Sequence, residues 1–65
     1  MKSDLHDIDV IFQHATDRAV CVRADEDGED QWIPLSLCEV EGSRVRGGVV
    51  TLTAPQRILE ERGLV

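Results

Sequence analysis

The chain holds one Trp, one Phe and no Tyr, so nucleic-acid bases would find little to stack on. Its two cysteines, Cys21 and Cys38, cannot supply the framework of a disulfide-dense secreted mini-protein. No apolar run reaches the length that spans a bilayer, and the amino end lacks the h-region of a signal peptide. Basic residues are outnumbered, with 7 Lys and Arg against 13 Asp and Glu, for a formal net charge of −6. What is present bounds the answer further. Its 65 residues leave room for a single acidic domain, 1–65, and none for a catalytic domain with a separate substrate pocket. Size scaling gives about 4,100 Å² of folded surface and hence one small core. At 42% hydrophobic residues the chain is too apolar to be read as disordered. The expectation is a soluble, cytoplasmic binding protein with no cofactor, not an enzyme.

The spacing of apolar residues predicts short strands followed by one helix. Ile8, Val10 and Phe12 share a face if Ile8 to Phe12 is extended. Leu5, Ile8, Phe12 and Ala15 would equally make a helical stripe, and the β-branched Ile8, Val10 and Ile11 tip the balance to strand. Ala19 to Ala24 reads as a second strand, and Trp32-Ile33-Pro34 as its returning partner. Between them Asp27-Gly28 marks a turn, with Gly28 suited to positive φ. Pro34 lacks an amide donor and belongs at a strand end or edge. Ser36-Leu37 is an irregular link, Cys38 to Glu41 alternates cleanly, and Gly42-Ser43 and Gly47-Gly48 mark breaks before the last strand, Val49 to Leu52. At the carboxyl end Thr53 and Gln56 have the spacing of a capping box, with Pro55 in the first helical turn. Ile58 and Leu59 supply the apolar face, Gly63 the left-handed stop, and Leu64 a fold-back contact on Leu59. The expected architecture is α+β: a small antiparallel sheet of three to five strands with one C-terminal helix packed on it.

Few residues could carry catalysis. A cysteine nucleophile needs a lowered pKa, but Cys21 lies in an apolar alternating run and Cys38 beside Glu39. Both read as buried or half-buried thiols. No pair has zinc-site spacing. The acidic turn fails as a calcium loop, because Gly28 in sixth place puts Arg23 first and Pro34 twelfth. Arg44, Val45 and Arg46 alternate, so the two arginines are expected on the solvent face of a strand, balancing Glu39 and Glu41 on its neighbour. Gly47-Gly48 is no phosphate loop, since no Gly-Lys-Ser/Thr follows.

The carboxylates are the conspicuous feature. Asp25, Glu26, Asp27, Glu29 and Asp30 place five acids in six residues, and Asp4, Asp7 and Asp9 form a second patch, with Asp17 beyond it. Like charges this dense repel and cost a small domain stability. One reading is a solvated hairpin tip that aids solubility. The other is a track of carboxylates standing in for DNA phosphates and binding a basic channel on a protein.

Thr16-Asp17-Arg18-Ala19-Val20, Trp32-Ile33-Pro34-Leu35-Ser36 and Glu61-Arg62-Gly63-Leu64 resemble, in this order, segments of small proteins of phages and mobile elements. In size, acidity and lack of catalytic residues the chain is similar to small anti-CRISPR proteins, the inhibitors of type I-C systems in particular. That resemblance implies a phage-encoded DNA mimic in the host cytoplasm, blocking the DNA-binding channel of a Cascade-type surveillance complex. The residues themselves lead to the expectation of no direct contact with nucleic acid, because of the acidity, and none with membrane, for want of a long apolar run. They also lead to the expectation of a monomer or, through exposed strand edges, a weak homodimer. Carried onto this sequence, the partner-binding residues are Asp25, Glu26, Asp27, Glu29 and Asp30, with Asp4, Asp7 and Asp9. Trp32 is expected in the core. The competing expectation is a non-enzymatic adaptor that holds a protein or peptide on an apolar surface near Trp32 and Pro34.

Overall fold

Alternation of more and less buried side chains from Asp9 to Gln13 settles the first element as a strand. In the computed structural model, which describes residues 4–65, β1 runs Leu5–Ala15. Val10 and Phe12 are buried on one side, and the would-be helical stripe of Leu5, Ile8, Phe12 and Ala15 does not form. Of the acidic amino-terminal segment, Lys2 and Ser3 lie outside the described residues. β2 is Ala19–Arg23, β3 Gln31–Pro34, β4 Glu39–Glu41 and β5 Val49–Pro55, with a 3₁₀ turn at Leu35–Leu37 and one helix, α1, at Gln56–Glu61. All pairings are antiparallel, in the order β3-β2-β1-β5-β4. The long β1 is therefore central, flanked by β2 along its second half and by β5 along its first.

One face of the sheet carries the core. Val10, Phe12, Val20, Val22, Ile33, Val50, Leu52 and Ala54 project to that side and pack with Ile58, Leu59 and Leu64 from the helix end. A bulge at Gln13 keeps this in phase, since Phe12 pairs with Val22 and His14 with Cys21. The extra residue lets β1 change side without losing the core face.

The helix begins differently from the sequence expectation. Thr53 is still extended, paired with Asp7, and the residue preceding α1 is Pro55, which makes no side-chain cap. The capping box of Thr53 and Gln56 is thus absent. The Gln56 N–H donates instead to the backbone carbonyl of Asp4 at 3.0 Å. At the other end the expected stop forms. Gly63 has φ 69°, its N–H donates to the Glu60 carbonyl at 3.1 Å, and Leu64 N–H donates to the Leu59 carbonyl at 2.8 Å. These are the two bonds of a Schellman motif, and Leu64 is buried against the same core as Leu59.

Two turn expectations are corrected. Gly28 does sit in a turn, with its N–H on the Asp25 carbonyl at 3.0 Å, but its φ is not positive. The whole segment 24–30 is a loop, long enough to reverse the chain without a mirror-image two-residue turn. Arg44, Val45 and Arg46 form no strand. They lie in the loop between β4 and β5, whose Gly47 N–H and Gly48 carbonyl bond the backbone of Phe12 at 2.8 Å each.

Candidate protein-binding face

The helix covers one side of the sheet and leaves the other open. Because side chains alternate, the residues between the core positions all face this open side. Register then lines them up across strands. Asp7 lies opposite Thr53, which lies opposite Glu39; Asp9 lies opposite Thr51, which lies opposite Glu41. All four acids are exposed. They flank two threonines as two parallel rungs, about 7 Å apart along the strands and about 10 Å across, at standard sheet spacings. The threonines engage the β1 acids: the Thr53 hydroxyl donates to Asp7 Oδ1 at 2.6 Å and the Thr51 hydroxyl to Asp9 Oδ1 at 3.4 Å.

Sequence reasoning misses Glu39 and Glu41 as site residues, although the alternation of Cys38 to Glu41 places both on one side. Their expected partners, Arg44 and Arg46, lie in the loop between β4 and β5 and form no ion pair with them. Among the described residues the ion pair is Arg23 with Asp30, so these glutamates are not neutralised by guanidinium groups.

The sequence-predicted acids divide into two groups. Asp7 and Asp9 belong to the open face, whereas Asp4 precedes β1 and contributes its carbonyl to α1. Asp25, Glu26, Asp27, Glu29 and Asp30 are all exposed in the β2–β3 loop. That loop leaves β2 at Arg23, opposite Ile11, on the side of β1 toward Asp9. It is folded on itself, with Asp25 Oδ1 accepting the Asp27 N–H at 3.0 Å. Asp30 is engaged by Arg23, whose guanidinium pKa is raised chiefly by that hydrogen bond. Arg62 lies under the same loop. Its Nε is enclosed without a hydrogen-bond partner, in a cleft lined also by Asp25, Glu29 and Gln31. Asp17 stands in the β1–β2 turn, at the opposite end of the hairpin.

The other half of the open face is mainly apolar, with the Asp30-paired Arg23 at its border, opposite Ile11. Trp32 is 44% exposed, which corrects its expected place in the core: Ile33 turns inward and Trp32, its neighbour, must turn outward. The rung His14–Cys21–Trp32 spans three strands, and the His14 and Trp32 rings meet edge to face at 6.0 Å between centroids. Cys21, only 3% exposed, lies in that rung. Burial pushes its thiol pKa up and the Asp30 charge adds to that, while Arg23 and Arg46 pull the other way. Cys38 belongs to the core on the far side of the sheet, bonded to the Pro34 carbonyl at 3.5 Å, and burial raises its pKa as well. Both cysteines are free, and neither is activated as a nucleophile. Ile11 and Val49 continue the apolar half toward the acids, Val49 at 67% exposure.

No cluster of three or more metal-ligating side chains occurs among the described residues, and no described helix is long and apolar enough to cross a membrane. Searches for relatives leave the chain by itself: no family model, no curated protein and no solved structure matches it.

Proposed function

We propose that the protein is a non-enzymatic inhibitor that docks its carboxylates into a basic nucleic-acid channel on a protein partner. One observation carries this: Asp7, Asp9, Glu39 and Glu41 form two exposed rungs on an open sheet face, with no guanidinium partner. A β-sheet holds such groups at fixed spacing, so they need no ordering on binding. The Asp25–Asp30 loop adds charge near the same end of β1, and long-range attraction to a cationic channel speeds encounter. Following the resemblance to anti-CRISPR proteins, the partner class is an RNA-guided surveillance complex of the type I-C kind, which holds nucleic acid in positively charged channels.

The test is competition. Purified surveillance complex with labelled target duplex should release the DNA when the protein is added, less so as salt rises and screens exposed charges. Reversing Asp7, Asp9, Glu39 and Glu41 to Lys should abolish release while the far-ultraviolet circular dichroism stays unchanged. Undiminished release by that folded variant would refute the acidic-face reading. A second reading, an adaptor that grips a polypeptide through an apolar surface, is favoured by the exposure of Trp32. It predicts binding that is insensitive to salt.

A further inference from the structure

The open face is not uniformly acidic. Two rungs of carboxylates occupy the half made by the start of β1, β4 and the end of β5. The half made by β3, β2 and the end of β1 carries Trp32, His14 and Cys21, with Ile11, Val49 and the Asp30-paired Arg23 between the two halves. From Asp9 to His14 is roughly 13 Å along β1, at about 3.3 Å per residue with one residue lost to the bulge. A single bound segment can span that distance.

We propose that this face takes a cationic amphipathic segment of a partner protein, its lysine or arginine side chains over Asp7, Asp9, Glu39 and Glu41 and an apolar side chain seated beside Trp32. The inference rests on the reading that the protein binds a basic protein surface, and it adds the anchor that makes such binding specific. Charge complementarity selects the occupant. Polyanions, whether nucleic acid or acidic lipid, are repelled by the four carboxylates. A second copy of this chain is disfavoured in either arrangement. With the symmetry axis at the acidic half, acids meet acids. With the axis at the middle, four carboxylates are desolvated against Trp32, Ile11 and Val49, and Arg23 opposite Ile11 is already taken by Asp30, so their burial is costly. A simple polycation would satisfy the acids and leave the tryptophan uncovered. Trp is the residue type most often found to dominate binding energy, surrounded by polar contacts that exclude water. His14 braces its ring edge to face, so little side-chain freedom is lost when a partner covers it.

Trp32 is the one tryptophan of the chain, so its fluorescence reports this face directly. The protein is titrated at low salt with a synthetic peptide of alternating lysine and leucine, its counterpart of alternating glutamate and leucine, oligolysine, and duplex DNA. A saturable blue shift is expected with the lysine–leucine peptide alone. Affinity for it should fall about fivefold in the Asp7→Asn/Asp9→Asn variant, the loss of two exposed ion pairs. No shift with that peptide overturns the proposal, and so does an equal shift with the glutamate–leucine peptide or with DNA. A shift that grows with protein concentration alone, the mark of a second copy, overturns it too. The displacement assay separates this inference from the reading beneath it. Trp32→Ala, folded by circular dichroism, should displace DNA about tenfold less tightly. If it displaces DNA as well as the wild type, the anchor falls and the inhibitor reading stands. If the wild type binds the peptide but displaces no DNA, the inhibitor reading falls and the face keeps its assignment.

Discussion

The Thr53 hydroxyl donates to Asp7 Oδ1 at 2.6 Å across the β1–β5 pair. One short side chain thereby ties the acidic rung to the strand that leads into the helix. It also explains why Thr53 caps nothing: its oxygen is on the open face, three residues before α1, with Ala54 and Pro55 still extended between them. Thr53→Val should cost about 0.5–1 kcal/mol, the range for an exposed hydrogen bond to a carboxylate. A double-mutant cycle by urea unfolding should find coupling between Thr53 and Asp7 and none between Thr53 and Gln56.

Leu59 is fully buried where α1 meets the sheet. Leu59→Ala should cost about 2–5 kcal/mol. A domain of this size has a total stability of only about 5 kcal/mol or a little more. The variant is therefore expected to be largely unfolded at 37 °C, as a thermal melt followed by circular dichroism would register.

Gly63 ends α1 at φ 69°, and a Cβ there would touch nothing within 4 Å. Its replacement tests backbone conformation alone. Gly63→Ala should cost about 1–2 kcal/mol, the penalty of a left-handed residue with a Cβ, and Gly63→Asn less. Equal midpoints in urea for all three proteins would refute the assignment.

Both thiols have raised pKa values in the fold, each chiefly through burial. The folded state therefore holds its thiol protons more tightly than the unfolded chain. That contribution is complete below the unfolded thiol pKa of about 8.5 and is lost as pH climbs through the higher folded value. Stability should fall between neutral pH and the alkaline range, and Cys21→Ser/Cys38→Ala should flatten that slope in urea titrations. Iodoacetamide at neutral pH should label the unfolded chain much faster than the native protein.

Much of the fold was legible in the residues. Alternation over Ile8 to Phe12 and Val49 to Leu52 identified the central strands, and Gly63-Leu64 identified the helix stop, because these patterns act within a few residues. The capping box was misread because Thr53 had a competing partner 46 residues away. Arg44 and Arg46 were misread because Gly42 and Gly47-Gly48 hold their segment as a loop against Phe12, where strand alternation has no meaning.

The site was legible only in part, for the same reason. Composition and period alone determined an acidic α+β domain with one core face and carboxylates in excess. Which carboxylates stand side by side depended on register: Asp7 and Asp9 meet Glu39 and Glu41 only because β5 lies between β1 and β4. Trp32 faces solvent because Ile33 claims the core and a strand turns its successive side chains to opposite sides. Local sequence sets the period of each strand; only long-range pairing chooses which strands are neighbours and which side of the sheet the helix leaves bare.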